Sequence, residues 1–66
     1  MQIHINKHID TPIFQQIQSA IEYAVSLGYL KTNDTLPSVR VLAQQLQVAP
    51  LTIRKAYSAL QNKGLI

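Results

Sequence analysis

The sequence predicts a mainly α domain of three helices, and three observations predict it. Apolar residues recur at spacings of three and four in three separate runs. Each run opens beside a residue suited to a helix start, Pro12, Ser38 or Pro50, and two of them close at Gly28 and Gly64. The 66 residues carry no cysteine, so neither a disulfide nor a thiolate-bound metal staples the fold. At this length one small core must suffice, and such a core supplies only about 3–5 kcal/mol. A hydrophobic content of 47% is ordinary for a globular domain. No apolar run approaches the length of a membrane span, and no secretory signal opens the chain. The cytoplasm is the expected location.

Residues 1–11 read as an N-terminal arm or short strand, because "QIHIN" alternates apolar and polar positions. Residues 12–66 read as the domain proper. The first helix is expected near 12–27, with Asp10 or Thr11 capping it and Pro12 in its first turn. Ile13, Phe14, Ile17, Ala20, Ile21, Ala24 and Val25 form its apolar face, and Gly28 closes it in a left-handed conformation. Residues 29–37 hold turn formers and no helical period, so they form a loop. Ser38 then caps a second helix near 39–46, which buries Val39, Leu42, Ala43 and Leu46 and exposes Val41, Gln44 and Gln45. Residues 47–49 leave room only for a sharp turn. Pro50 opens a third helix, near 50–63, and Gly64 ends it. Ile53, Ala56, Tyr57 and Leu60 face inward, whereas Leu51, Arg54, Lys55, Ser58, Gln61 and Asn62 face outward.

The charge is lopsided. Net charge is +3, and from Thr35 onward Arg40, Arg54, Lys55 and Lys63 stand with no acid among them. A one-sided positive field suits a polyanion, and nucleic acid is the commonest. Two short helices about a tight turn, the second with donors on its outer face, are the parts of a helix-turn-helix. An α-helix fits the major groove of DNA, where Arg forks onto guanine and Thr or Lys reaches phosphate. Thr52, Arg54, Lys55 and Ser58 provide such donors within two turns. The competing reading is a small helical protein–protein interaction module without DNA binding.

Three stretches carry a family resemblance: "TPIFQQIQSAIEYAVSLGYL", "LPSVRVLAQQLQV" and "TIRKAYSALQNKGLI". Together they resemble the DNA-binding domain of the GntR family of bacterial transcription regulators, over roughly 12–66. The pieces "PIFQQI" and "RKAY" resemble the short YtrA-like subgroup, which is preferred here, and also the related aminotransferase-fused regulators. The resemblance implies a three-helix winged helix-turn-helix. In that family Gly-Leu-Ile leads into a two-stranded wing, which implies that the wing hairpin and the effector or dimerisation region are missing from this chain. It further implies that Arg40 contacts DNA from the second helix, Thr52 holds a phosphate, and Arg54 reaches bases. Helix geometry adds Lys55 as a phosphate contact, with Ser38 and Ser58 as further contacts. The implied partners are double-stranded DNA as a palindromic operator, a second copy in the full-length protein, and a small effector bound outside this chain.

Departures from the family pattern fall at the turn. Gln47 stands where a left-handed backbone favours Gly, at a cost of about 1 kcal/mol. Ala49 cannot cap the third helix, which forfeits roughly 0.5–2 kcal/mol. Pro50 has no donor for a base, and Leu51 is expected to pack on a thymine methyl instead. Among the remaining residues, Tyr57 is expected in the core, and Tyr23 and Tyr29 partly buried or at an interface. Lys63 is assigned to the negative end of the third helix. Arg40 has competing uses as a partner of Asp34 or as a helix cap. His4 and His8 have a chelating spacing but no third ligand nearby, so no metal or cofactor is expected. Without an acid–base pair, a phosphate loop or a nucleophile set, no enzymatic activity is expected.

Overall fold

The computed structural model describes residues 3–30 and 36–66. It consists of α1 (Ile13–Ser26), α2 (Val39–Leu46) and α3 (Pro50–Asn62). Both α1 and α2 pack against α3, and they make no close backbone approach to one another. The core forms where the three apolar stripes meet. Ile17 and Ile21 of α1, Leu42 of α2, and Ile53, Ala56 and Leu60 of α3 are fully or almost fully enclosed. Ile13, Phe14, Ala20, Val25, Val39, Leu46 and Tyr57 pack around them. At about 1.5–3 kcal/mol per enclosed aliphatic side chain, these few residues dominate the favourable side of folding.

The start of α1 differs from expectation. Pro12 is its N-cap, and no side chain accepts a hydrogen bond there, so neither Asp10 nor Thr11 caps the helix. Those two residues lie outside the cap position, and the Pro12 carbonyl takes the N–H groups of Gln15 (3.0 Å) and Gln16 (3.2 Å) instead. Gln16 has a role the sequence pattern does not reveal. Its side-chain amide donates to the carbonyls of Asn6 and Thr11, both at 2.9 Å, and its oxygen accepts the Asn6 N–H at 2.7 Å. This clamp folds the N-terminal segment back onto α1. Residues 3–6 form no strand, and Ile3 is buried in the common core. Most of the loop expected over 29–37 lies outside the described residues. Tyr23 and Tyr29 depart from the partial burial expected of them, being 56% and 78% exposed.

All three helices end in the same way. Beyond α1, the Tyr29 N–H reaches the Ala24 carbonyl at 2.9 Å; beyond α3, the Leu65 N–H reaches Leu60 at 3.0 Å. Beyond α2, the Val48 N–H reaches Ala43 at 3.0 Å. Each six-residue bond requires a left-handed residue inside it. Gly28 and Gly64 fill that place at φ +80° and +73°, and Gln47 fills it at φ 57°. The side chain of Gln47 makes its conformation the costly one. Replacing Gln47 with Gly should therefore raise stability by about 1 kcal/mol. Gly64→Ala should lower it by a similar amount, since an added Cβ meets open space and only the backbone is strained. Urea denaturation of both variants checks the pair, and equal midpoints would show the penalty absent.

Candidate nucleic-acid interface

The turn at 47–49 sets α3 across the end of α2. Ala49 is the N-cap of α3, extended at φ −67° and ψ 142°, and its methyl offers no acceptor to the first free N–H groups. Pro50 follows at the first helical position, where its fixed φ suits the helix. Because Ile53, Ala56 and Leu60 all turn into the core, the opposite face of α3 looks outward. Leu51, Arg54, Lys55 and Ser58 are exposed on it, and Leu51 keeps 60% of its surface in solvent. Thr52 lies at the margin, half-buried.

The two flanks of this face have different neighbours. On one flank the Lys55 ammonium lies 5.8 Å from the centre of the Phe14 ring in α1. That is within the range of a cation–π contact, worth roughly 0.5–1 kcal/mol at an exposed site. Lys55 therefore leans toward α1. On the other flank the Tyr57 hydroxyl donates to the Pro37 carbonyl at 2.7 Å. This bond holds the start of α2 against α3, beside the helix face that carries Arg54 three residues earlier. Tyr57, expected in the core, packs against it from the margin and stays half-buried, because its hydroxyl reaches out to the Pro37 carbonyl. Ser38 caps α2 as expected, its Oγ accepting the Val41 N–H at 3.1 Å. The hydroxyl hydrogen of Ser38 is left for a further acceptor.

Arg40 is exposed and borders a groove of about 410 Å³ between α2 and the start of α3, with Gln44, Gln47 and Pro50 along its length. That groove puts Arg40 on the side of the molecule where α3 begins. Asp34, its competing partner, lies outside the described residues. The structure thus brings Arg40 beside the start of α3, leaves Ser38 exposed at the cap of α2, and sets Leu51, Arg54, Lys55 and Ser58 on the exposed face of α3, with Lys55 toward α1 and Thr52 half-buried. Lys63 has a different use from the one expected: its Nζ meets Glu22 Oε1 of α1 at 2.8 Å. With both groups partly exposed, the pair contributes at most about 1 kcal/mol. No sequence pattern signals it, because the two residues lie 41 apart.

A short second helix, a sharp turn and a third helix with a free outer face define a helix-turn-helix of the DNA-binding class. Comparison with known proteins makes the assignment specific. Residues 13–66 match the family model described as bacterial regulatory proteins, gntR family. The chain is 39% identical over 64 residues to the transcriptional repressor YtrA of Bacillus subtilis, covering 97% of this chain and 49% of that protein. It is 36% identical to the repressor NagR of the same organism, covering 97% of this chain and 26% of NagR. The solved structure of YtrA from Sulfolobus acidocaldarius, a GntR-family transcription factor, superposes with a TM-score of 0.88 at 44% identity, over 94% of this chain and 66% of that one. The chain belongs to the GntR family of bacterial transcription regulators and is YtrA-like, which sets it among DNA-binding regulators. It spans about half the length of its Bacillus YtrA relative.

Two measurements test the local physics. Ala49→Ser supplies the missing acceptor at an already extended cap, so it should raise stability by about 1 kcal/mol in denaturant titration. Burial pushes the Tyr57 phenol above the usual 10.0. The unfolded chain then loses this proton first as pH rises, so stability should fall from about pH 10 upward. In Tyr57→Phe that decline should be weaker, and thermal unfolding across the alkaline range reads the difference.

Proposed function

We propose that this chain binds DNA sequence-specifically, with α3 in the major groove of a palindromic operator. The observation that carries the reading is the outer face of α3. It has no part in the core, holds Arg54 and Lys55, and belongs to a half of the chain without a single acid from Thr35 onward. A guanidinium at Arg54, about one turn into the helix, suits a forked pair of bonds to guanine O6 and N7. Leu51, further toward the entering end, fits a thymine methyl. Thr52, Lys55, Ser38 and Ser58 hold phosphates, and Arg40 approaches the backbone from α2 across the groove it shares with Pro50. Lys55 releases Phe14 to do so, an exchange of one weak contact for a charge-assisted one.

The full-length protein pairs two such domains, because two-fold protein symmetry matches the symmetry of a palindrome. A small effector acts through the region outside this chain and shifts that binding, and the protein works in the cytoplasm with the DNA it regulates. The GntR assignment favours this reading over a helical interaction module. Salt separates the two: phosphate binding weakens steeply as salt rises, and an apolar helix contact does not. On a duplex obtained by selection, Arg54→Ala should cost about 1–3 kcal/mol and relax preference at one base pair. Lys55→Ala should weaken all sequences alike and flatten the salt slope by about 0.9. Salt-independent binding, with Arg54→Ala indistinguishable from the parent, would defeat the proposal.

A further inference from the structure

The backbones of α1 and α2 make no close approach and the two helices meet through side chains of the common core, so a further point of support bears directly on the tilt of α2. The N-terminal segment is placed to give one. Ile3 anchors it in the core, and the Gln16 clamp holds Asn6 on α1 through two hydrogen bonds. The next residue, Lys7, reaches across to α2, where its Nζ donates to the Gln47 carbonyl at 2.8 Å. That carbonyl lies at the negative end of α2, whose last turn has no basic residue of its own. It also belongs to the residue whose left-handed backbone makes the turn into α3. An open cleft of about 610 Å³ lies between residues 3–8 and the end of α2, so the Lys7 bond bridges a gap.

We propose that Asn6 and Lys7 form a strut that fixes α2 and the turn against α1, making Lys7 a positioning residue for operator recognition. The strut acts through Gln47 and does not touch DNA. Ser38 and Arg40 ride on α2, while Leu51 and Arg54 ride on α3, so the spacing between the two sets depends on the turn that Lys7 holds. A loosened turn still presents positive charge to any duplex. It no longer presents both sets in one register. The effect on recognition rests on the DNA-binding reading above; the mechanical role of the strut does not.

The test uses the 66-residue chain. Lys7→Met keeps the stem and removes the ammonium, and Lys7→Arg restores a donor. Affinity is measured across a salt series for a duplex obtained by selection and for a random duplex. We expect Lys7→Met to bind the selected duplex about fivefold more weakly, the scale of one ordinary net hydrogen bond. Random-duplex affinity and its salt slope should stay as they are, and Lys7→Arg should recover most of the loss. Unchanged binding to both duplexes overturns the recognition role. Equal losses on both, with a slope shallower by about 0.9, overturn it too and make Lys7 a direct phosphate contact. Residual dipolar couplings of the free wild type and Lys7→Met read the tilt of α2 without DNA. The same tilt in both overturns the strut, even where the wild type binds no duplex and the DNA-binding reading itself has failed.

Discussion

The whole arrangement depends on α3 serving as the shared support of the other two helices. Ile53, Ala56 and Leu60 leave no surface exposed, and they form the stripe on which both α1 and α2 rest. A 13-residue helix can do this and still project an outer face, because its residues step about 100° around the axis and its apolar stripe leaves the opposite face to solvent. Fixing α3 in the core also fixes what it shows to solvent. An element placed by packing on two sides is a rigid probe, and rigidity is what reading a groove requires.

Charge placement follows the same division. The acid-free half of the chain holds α2 and α3, and their basic residues have two kinds of environment. Lys63 pairs with Glu22 and Lys55 lies over Phe14, so both tie α3 to α1. Arg54 and Arg40 have no ion-pair partner among the described residues. The first two lie at the far end and the α1 edge of α3, while the arginines face the surface shared with α2. Positive charge is thus used partly to set the helix, and partly left free of any acidic partner among the described residues. Its modest total suits a module whose specificity comes from a few well-placed groups more than from a strong general field.

The features legible in the sequence were those of local pattern. The spacing of apolar residues located each helix to within about a residue and placed Ile17, Leu42, Ile53 and Leu60 inside, because burial repeats with the helical period. Gly28 and Gly64 mark helix ends and Ser38 marks a cap, each through its own local chemistry, whereas the strain at Gln47 is legible only against the glycine common at that place in the family. The features that escaped were pairings between distant residues. Glu22 with Lys63, Gln16 with Asn6, Lys7 with Gln47 and Phe14 with Lys55 join residues between 10 and 41 positions apart. A side chain that reaches across space leaves no period to read. The start of α1 shows a different limit: Asp10 and Thr11 both suit a cap by type, but Pro12 holds the position and its carbonyl receives the bonds. Candidate DNA contacts were readable as an exposed basic face, whereas the lean of Lys55 toward α1 was not.

The most direct test of the central claim is an amide NMR titration of this chain with a short mixed-sequence duplex at two salt concentrations. If α3 is both core support and groove reader, shifts should cluster at residues 38–40 and 51–58, and they should fade as salt rises. The amides of Ile17 and Ile21, behind the core, should stay still. Shifts centred on α1 instead, or a response that does not change with salt, would contradict the assignment of the outer face of α3 to DNA.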